Sequence, residues 1–460
     1  MSCHDLREFL GRLEALGELQ TIAAPVSPLL EIAAITDRVC KGAGANRALL
    51  FAQVEGSRFR VATNLFGSDR RVAAALGVEQ LSALTARFDT LLAASSGMTA
   101  AEKLAALPAT QAGQAAVPVV TSGATAAQFV SCDEGLAALP ILKSWPLDGQ
   151  PVHAGRFMTL PLVITAAPDS GGSNCGMYRA AVIDNETLAV CWSSSSGAAL
   201  HAAAWREHGT PMPVVIALGG PPALTFTATL PLPVGLDEFT FAGMLQGEPV
   251  RVLRCGNGLV APATAEAVLE GYLLPESIDA GAFGNHTGSY TPSTPAAAIR
   301  ITALRCRRDM ILPATVVGRP PMEDCWLARA GGFLLLSLLK IDLPQAVALH
   351  APFAGIFHGA VIIAVSNAGG RGRELLAAIR NTPWFAAARL LIIVDEEQDP
   401  ADEAGVCWRV MNCVDWERDL VIAADRLSID ATRKPEGRMP VVADEDTTAM
   451  VAKRWREYGF

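Results

Sequence analysis

The first residues of the chain alternate apolar and polar positions with the period of an amphipathic helix. Apolar side chains recur at i, i+3, i+4 and i+7, at Leu6, Phe9, Leu10, Leu13 and Leu16. The spacing predicts a helix over Leu6–Leu19 that is closed by Gly17, and a second helix over Leu29–Val39. Two short strands, Ala48–Phe51 and Phe59–Ala62, follow around a polar turn.

The middle of the chain predicts a connector followed by many short strands. Leu91–Ala127 is rich in Ala, Ser, Thr and Gly and poor in charge, which predicts a loosely structured connector. Beyond it lie short, often β-branched segments separated by Gly, Pro and Asn: Met158–Thr165, Ala180–Ile183, Pro213–Leu218 and Thr225–Leu230. This density of strands predicts a barrel or a compact sheet over about residues 120–312.

After Pro313 the pattern changes to an alternation of strand-like and helix-like runs. These runs are Leu334–Lys340, Ala360–Val365, Gly372–Arg380 and Leu390–Asp395. Such an alternation is typical of βαβ units, so we predict a separate C-terminal α/β domain.

Composition narrows the class of protein. The 460 residues carry a formal net charge of −9 and no basic tract, which argues against nucleic acid and anionic membranes as partners. No apolar run reaches the roughly 18–20 residues of a membrane helix, and Asp5, Arg7 and Glu8 interrupt any signal-peptide core. The ten cysteines include no CxxC pair, as is typical of reduced thiols. We therefore expect a soluble, cytoplasmic protein.

Several motifs with known chemistry do not occur. The chain has no GxxxxGK[ST] phosphate loop, no HExxH zinc motif and no strand-borne GxGxxG. Asp169-Ser170-Gly171-Gly172 matches part of the nucleophile segment of chymotrypsin-like proteases, but Pro168 stands where that segment has Gly. A polar turn explains these residues better than a protease site.

The most informative stretch runs from Ser173 to Arg179 and contains an asparagine and an arginine on either side of a glycine. If Asn174 lies in a turn and Arg179 on the following strand, both side chains face one cleft. An arginine there would bind a carboxylate or a phosphate through its bidentate fork. Taken alone, however, an arginine is more often a surface residue paired with an acid.

Further motifs accompany this stretch in a fixed order along the chain. They are residues 5–10, 17–19, 64–67, 144–146, 229–243, 262–272, 283–288, 318–321 and 430–434. Their order and spacing resemble the UbiD family of reversible decarboxylases, which bind prenylated FMN. The likeness covers essentially the whole chain and is weakest over about residues 330–420.

The resemblance implies an α/β (α+β) fold in three parts. Residues 1–120 would form an N-terminal α/β segment, residues 121–312 a split β-barrel domain that binds prenylated FMN, and residues 313–460 a C-terminal α/β oligomerisation domain. It also implies a flavin prenyltransferase that supplies the cofactor, and a homodimer or a higher homo-oligomer.

By the same resemblance, one group of residues holds the cofactor and its metal. The positions that match cofactor contacts are Asn174, Met177, Tyr178, Arg179, Thr229, Leu230, Pro231 and Glu238. In the family Mn²⁺ or Mg²⁺, together with K⁺, anchors the flavin phosphate, and Asn174 and Glu238 match two metal ligands. Ser195 stands where the family has a histidine ligand. A hydroxyl is a weaker ligand than imidazole, and His201 lies six residues further on without a clear role.

The resemblance also implies changes at the catalytic acids. In the family an unsaturated substrate carbon adds to the azomethine ylide of the flavin, CO₂ leaves, and a carboxylic acid delivers a proton. Arg179 matches the arginine of this mechanism, but the two carboxylate positions are Ala280 and Asn285 here. Asp279 or His286 would then donate the proton, although Asp279 is equally well explained as a solvated loop acid.

Two further acids, Glu266 and Glu270, lie four residues apart in a run with helical spacing. We expect them to face solvent or to form ion pairs, and not to contact the flavin.

The sequence thus predicts a carboxy-lyase that uses prenylated FMN and a divalent metal on an aromatic, heteroaromatic or α,β-unsaturated acid. Two alternatives stay open because of Ala280 and Asn285. One is a non-catalytic subunit or scaffold that keeps the fold, and the other is an enzyme that uses the same cofactor for a different reaction.

Overall fold

The structure, a computed structural model, describes residues 2–121, 128–169, 172–233, 235–366, 368–434, 441 and 443–460. Its helices are α1 (Leu6–Ala15), α2 (Glu31–Lys41), α3 (Asp69–Ala75), α4 (Ala83–Ala93), α5 (Ala100–Ala106), α6 (Gln111–Ala115), α7 (Gly197–His208), α8 (Pro222–Thr227), α9 (Glu238–Gln246), α10 (Glu323–Asp342), α11 (Gly372–Arg380), α12 (Glu403–Cys413) and α13 (Glu445–Arg454).

The strands are likewise numbered along the chain. They are β1 (Leu19–Val26), β2 (Ala48–Val54), β3 (Arg60–Thr63), β4 (Val119–Val120), β5 (Phe129–Ser131), β6 (Phe157–Met158), β7 (Pro161–Ala166), β8 (Ser173–Met177), β9 (Ala180–Val182), β10 (Thr187–Val190), β11 (Pro213–Leu218), β12 (Arg251–Arg254), β13 (Val260–Pro262), β14 (Ala267–Asp279), β15 (Phe283–Gly284), β16 (Tyr290–Thr291), β17 (Pro295–Arg307), β18 (Ile311–Ala314), β19 (Ala346–His350), β20 (Ala360–Val365), β21 (Leu390–Asp395), β22 (Leu420–Ala423) and β23 (Arg426–Asp430).

The first helix illustrates how local sequence sets the structure. The Asp5 side chain accepts a hydrogen bond from the Glu8 amide at 2.7 Å and caps the helix N-terminus. Four of its five predicted apolar positions are buried, and Leu16 is partly buried. The helix ends earlier than predicted because Gly17 adopts a φ of +70° and Leu19 already begins β1.

Two sheets form the framework around the site. One contains β1, β2, β3 and β18 in this order, so the chain returns to its N-terminal part after β17. In the other, described strands follow the order β6-β9-β10-β17-β14-β11-β7-β8, and β5 pairs with β17. Its longest strands, β14 and β17, pair antiparallel. The predicted concentration of strands between residues 120 and 312 is confirmed.

The predicted connector over Leu91–Ala127 is wrong for most of its length. Its described part contains the end of α4, then α5, α6 and β4, while residues 122–127 lie outside the described residues. Small polar residues act as helix caps here: Thr99 forms a capping box with Glu102, and Thr110 caps α6. Composition alone did not distinguish caps from loop residues.

The predicted strand Thr225–Leu230 is also wrong, because its first three residues belong to α8 and its last three form a turn. The helix begins with Pro222, which suits a first turn, and the Thr227 hydroxyl donates to the Ala223 carbonyl at 2.8 Å. Every residue of α8 is buried, so the helix lacks the amphipathic pattern by which a sequence reveals one.

Glu266 and Glu270 are buried and lie beside or within β14, so the predicted helical spacing and solvent exposure are wrong. The predicted ion pairs are confirmed. Glu266 accepts two hydrogen bonds of 2.9 Å from Arg7 of α1 and one of 2.9 Å from the Ile311 amide, and Glu270 pairs with Arg305. Glu266 therefore connects α1, β14 and β18.

The C-terminal part contains the predicted βαβ unit, and the mixed α/β class is confirmed. β20 and β21 pair in parallel within a sheet of order β19-β20-β21-β23-β22, with α11 between them in sequence. The run Leu334–Lys340 belongs to α10, which packs against α3, α4, α5 and β19. Among the described helices, none is both long enough and apolar enough to cross a membrane.

Candidate functional site

Two neighbouring cavities contain nearly all of the predicted site residues. The larger has a volume of about 760 Å³ and the smaller of about 450 Å³. Both are lined by Met177, Tyr178, Thr229 and Phe357, so they meet at these side chains. The other predicted residues of the larger cavity are Asn174, Ser195, Leu230, Pro231 and Glu238. Those of the smaller cavity are Arg179, Asn285 and His286.

Asn174 and Glu238 reach the larger cavity from a strand and a helix. Asn174 lies on β8 opposite Thr165 of β7, and its Nδ2 is buried without a hydrogen-bond partner. Glu238 is the first residue of α9, and its Oε2 accepts from the Cys175 amide at 2.8 Å. Burial raises the pKa of Glu238 to about 7. A cation at this position would favour the charged carboxylate.

The N-termini of two helices also border the larger cavity. Residues 195–197 line it at the start of α7, and Asp237 and Glu238 line it at the start of α9. Such helix ends favour anions because backbone N–H groups and the positive end of the helix dipole face outward. Gly197 approaches Asn174 so closely that a Cβ on Gly197 would lie 2.2 Å from Asn174 Oδ1.

Ser195 and His201 both line the larger cavity, at the beginning and on the first turns of α7. Ser195 is exposed, and its hydroxyl lies 3.3 Å from that of Ser193. His201 Nδ1 lies 2.9 Å from the Thr165 hydroxyl, and burial lowers the pKa of His201, which favours the neutral ring that binds metals.

The binding of a divalent metal ion in the larger cavity stays a prediction. Within the ranges that the structure describes, no group of three or more His, Cys, Asp or Glu side chains is arranged to hold a metal ion. The expected ligand set depends instead on amide, hydroxyl and carboxylate oxygens.

The predicted flavin contacts form the wall at the junction of the cavities. The Thr229 hydroxyl donates to the Phe226 carbonyl at 2.6 Å, at the end of α8. The Tyr178 ring packs edge-on against Trp192 with centroids 6.1 Å apart, and burial raises the pKa of Tyr178. The hydroxyl of Tyr178 therefore keeps its proton at neutral pH. Aromatic, aliphatic and hydroxyl groups together suit a flat heterocycle.

Arg179 lines the smaller cavity between β8 and β9. Its guanidinium carbon lies 4.7 Å from the centroid of the Phe283 ring, and its Nε is buried without a hydrogen-bond partner. This environment differs from that of an arginine paired at the surface. An anion that entered the cavity would find a desolvated donor.

Ala280 and Asn285 both have structural contacts. Ala280 is buried in an apolar cluster that includes Phe283. The Asn285 Oδ1 accepts from the Thr287 amide at 2.8 Å, and its Nδ2 donates to the Thr291 hydroxyl. The Asn285 side chain therefore holds its own β15–β16 turn together.

Asp279 is exposed at the end of β14 and lines neither cavity, so the structure does not bring it together with Arg179 and His286. A different acid, Asp324, lines the same cavity as Arg179 and His286. Asp324 is the second residue of α10 and is 8% exposed. Its sequence signal was weak, because an acid in the first turn of a helix usually indicates a favourable helix-dipole contact.

Phe357 is a second residue that sequence reasoning missed. Ile356, Phe357 and His358 have φ angles of 50°, 27° and 63°, which are rare for residues other than glycine. His358 Nε2 lies 2.7 Å from the Ala328 carbonyl, and the Phe357 ring packs edge-on against His286 with centroids 5.9 Å apart. A strained turn thus carries an aromatic side chain to the junction of the cavities.

Comparison with family models finds three consecutive matches. Residues 10–90 match the N-terminal domain, residues 119–320 the Rift-related domain and residues 325–439 the C-terminal domain of UbiD, 3-octaprenyl-4-hydroxybenzoate carboxy-lyase. An uncharacterized protein of Aquifex aeolicus is 36% identical over 463 residues, which cover 99% of this chain and 93% of the relative. One of Archaeoglobus fulgidus is 36% identical over 487 residues, which cover 99% of each.

Solved structures of the same class share the fold. The closed form of vanillic acid decarboxylase from Sedimentibacter hydroxybenzoicus has a TM-score of 0.83 at 24% identity, covering 100% of this chain and 99% of that one. An evolved dimeric form of the UbiD-class enzyme HmfF from Pelotomaculum thermopropionicum, in complex with prFMN, has a TM-score of 0.80 at 23% identity, covering 97% and 98%. At these identities the likeness concerns the fold alone.

Proposed function

Because the chain belongs to the UbiD family of carboxy-lyases, we propose that it removes CO₂ from an aromatic, heteroaromatic or α,β-unsaturated acid with the help of prenylated FMN. The observation that carries the proposal is the buried, unpartnered Nε of Arg179 in a cavity that adjoins an oxygen-lined one. The first feature suits a substrate carboxylate, and the second suits the phosphate end of a cofactor.

The larger cavity is suited to a flavin mononucleotide. Its volume of about 760 Å³ lies within the usual range of small-molecule sites, roughly 300–1,000 Å³. Met177, Tyr178 and Thr229 would contact the ring system, with Leu230 and Pro231 beside them, and the N-termini of α7 and α9 would face the phosphate. When bound, prenylated FMN would hold the electron pair that departing CO₂ leaves behind.

A divalent cation would complete the phosphate end of this site. Asn174 and Glu238 offer an amide and a carboxylate oxygen, and Ser195 offers a hydroxyl, which suits Mn²⁺ or Mg²⁺, with K⁺ nearby. The pKa of Glu238, which burial raises to about 7, supports a cation here, because a buried carboxylate has no compensating charge without one. The buried, unpartnered Nδ2 of Asn174 would donate to a phosphate oxygen, which leaves its Oδ1 for the cation. His201, which lines the same cavity, is an additional candidate ligand.

Arg179 would hold the substrate carboxylate, and Phe283 would keep its guanidinium plane in place. Val317 and Leu327 line the same cavity as Phe283 and leave an apolar surface for the rest of the substrate. A flat, unsaturated acid matches this combination of one cationic and several apolar groups.

A second candidate function is that of a UbiD-like protein that does not decarboxylate, either a non-catalytic subunit or scaffold that keeps the fold, or an enzyme that uses the same cofactor for a different reaction. The side chain at position 280 is apolar, and that of Asn285 is engaged by Thr287 and Thr291. At these two positions, which the resemblance compares with the family's acids, nothing donates a proton at neutral pH.

The partners follow from the same proposal. A flavin prenyltransferase would supply the cofactor. A homodimer or higher homo-oligomer would cover the exposed apolar side chains of α12 and the following turn, Trp408, Met411 and Trp416, which are 62%, 63% and 53% exposed. A cytoplasmic location agrees with ten free cysteines.

The test is co-expression of the chain with a flavin prenyltransferase. The absorption spectrum, the mass of the released cofactor and the metal content of the purified protein would be measured first. A colourless protein without flavin and without Mn²⁺ would contradict both enzyme functions and would support the scaffold.

If the flavin is present, CO₂ release from a panel of cinnamic, hydroxybenzoic and furoic acids separates the remaining possibilities. Release from at least one acid is expected for the decarboxylase. A fully loaded protein that releases none across the panel would favour a different reaction of the same cofactor.

A further inference from the structure

We propose that Asp324 and His286 act together as the proton donor of the smaller cavity, His286 delivering the proton to the substrate carbon and Asp324 restoring it to His286. The inference rests on the proposed function, since it identifies the acid that decarboxylation requires. It concerns a pair of residues that lie on different elements, the β15–β16 turn and the start of α10.

Asp324 is the carboxylic acid of this cavity. Among the described residues that line the smaller cavity, no other has a carboxyl group. Its side chain is 10% exposed, and apart from contacts with the thiol and amide of the adjacent Cys325 neither Oδ1 nor Oδ2 has a hydrogen-bond partner. Buried polar atoms in folded proteins are nearly always well paired, so a buried carboxyl with only these neighbouring contacts beside an arginine-lined cavity calls for a functional explanation.

His286 is the group that faces this carboxyl. Its Nδ1 lies 3.9 Å from Asp324 Oδ2, and its ring lines the same cavity as Arg179. A movement of about 1 Å would bring the two atoms within hydrogen-bond distance, and catalytic hydrogen bonds are often long before the substrate binds. The Phe357 ring packs against His286 and restricts the positions that the imidazole can take.

The electrostatic surroundings suit proton transfer near neutral pH. Burial raises the pKa of Asp324 to about 6, although the adjacent Cys325 thiol and amide favour its charged form. Burial and the positive charge of Arg179 lower the pKa of His286. Other titratable or charged groups near Asp324 on the same helix are Glu323, Cys325 and Arg329. A general acid works best when its pKa is near the working pH, and Asp324 meets this condition.

The proton balance of the step is simple. The bond between the substrate carbon and its carboxylate breaks, and CO₂ leaves. The electron pair left to the substrate forms a C–H bond with the proton of His286, while the N–H electron pair stays on the imidazole. His286 then takes the proton of Asp324, and water reprotonates Asp324. One carboxylate and one proton yield one C–H bond and one CO₂.

The turnover test compares Asp324→Asn and His286→Gln with the wild-type holoenzyme. Loss of a general acid typically lowers kcat about 10²–10⁴-fold, and we expect this effect with little change in KM. In a single turnover both variants should still release about one equivalent of CO₂, while the protonated product forms slowly. Asp89→Asn and His208→Gln, exposed residues on or at the end of α4 and α7, serve as controls with wild-type rates.

Wild-type turnover in Asp324→Asn would overturn the inference, as would a loss of activity in Asp279→Asn but not in Asp324→Asn. Both results leave the proposed function intact, because CO₂ is still released by the wild-type protein.

A second measurement does not depend on turnover. Histidine ring signals are followed by NMR across pH in wild-type protein and in Asp324→Asn, with His286→Gln identifying the signal. An ionised Asp324 favours the imidazolium, so its removal should lower the midpoint of His286 by at least a few tenths of a pH unit. Superimposable curves would overturn the pairing even if no substrate is found.

Discussion

The guanidinium carbon of Arg179 lies 4.7 Å from the centre of the Phe283 ring. Phe283 opens the β15–β16 hairpin, and the turn of the same hairpin carries Asn285 and His286. The group proposed to bind the substrate carboxylate and the group proposed to deliver the proton are therefore positioned by one short element. A change in this hairpin should affect both.

Arg179→Gln keeps a hydrogen-bonding side chain but removes the charge and the planar fork. Hydrogen bonds to charged groups contribute about 1.5–3 kcal/mol, so we expect kcat/KM to fall roughly 10- to 150-fold. Initial rates of CO₂ release would be measured with flavin content matched by absorbance. Arg206→Gln, which changes an exposed arginine on α7, is the control. Equal losses in both variants would contradict the role of Arg179.

Asn285→Ala removes the side-chain contacts with Thr287 and Thr291 that hold the hairpin turn. We expect a melting temperature lower by a few degrees and slower turnover, since each lost hydrogen bond costs about 1 kcal/mol and His286 is the next residue. Asn285→Asp keeps an acceptor for the Thr287 amide and should stay closer to wild type. Thermal unfolding checks this order. If Asp and Ala destabilise equally, the Thr287 contact is not what holds the turn.

Gly197→Ala would place a Cβ 2.2 Å from Asn174 Oδ1, so Asn174 or the start of α7 must move. We expect a clear drop in bound flavin and in Mn²⁺ per protein, measured by absorbance and elemental analysis. The control is Gly11→Ala on α1, where no atom lies within 4 Å of the new Cβ. That change should keep full loading and stabilise the helix by about 0.5–1 kcal/mol. Full loading of Gly197→Ala would argue against a cofactor contact at Asn174.

Glu323→Gln should change how stability depends on pH. Burial raises the pKa of Glu323 from 4.5 to about 7, so between these values the folded state keeps a proton that the unfolded state has lost. Stability contributed by the neutral acid is therefore lost as pH rises, by at most about 3 kcal/mol. The variant lacks this titration. The melting temperature of the variant minus that of the wild type should therefore increase from pH 5 to pH 8. A difference that is constant with pH would contradict this assignment.

The sequence by itself determined the features that depend on neighbouring residues. The periodicity of α1 and the βαβ run of β20, α11 and β21 are local, and they were predicted correctly. The order of the motifs likewise identified the family, and most predicted site residues line the two cavities.

Only the tertiary structure decided which acid reaches the site. Asp279 is next to the family motif in sequence but lies exposed at the end of β14, whereas Asp324 at the start of α10 lies 3.9 Å from His286 in the smaller cavity. The buried helix α8 escaped prediction for a related reason, since a segment covered on all sides has no polar face. The local pattern of apolar and polar residues predicts which face of an element packs against the core. It does not predict which side chains, distant in sequence, come into contact in the core.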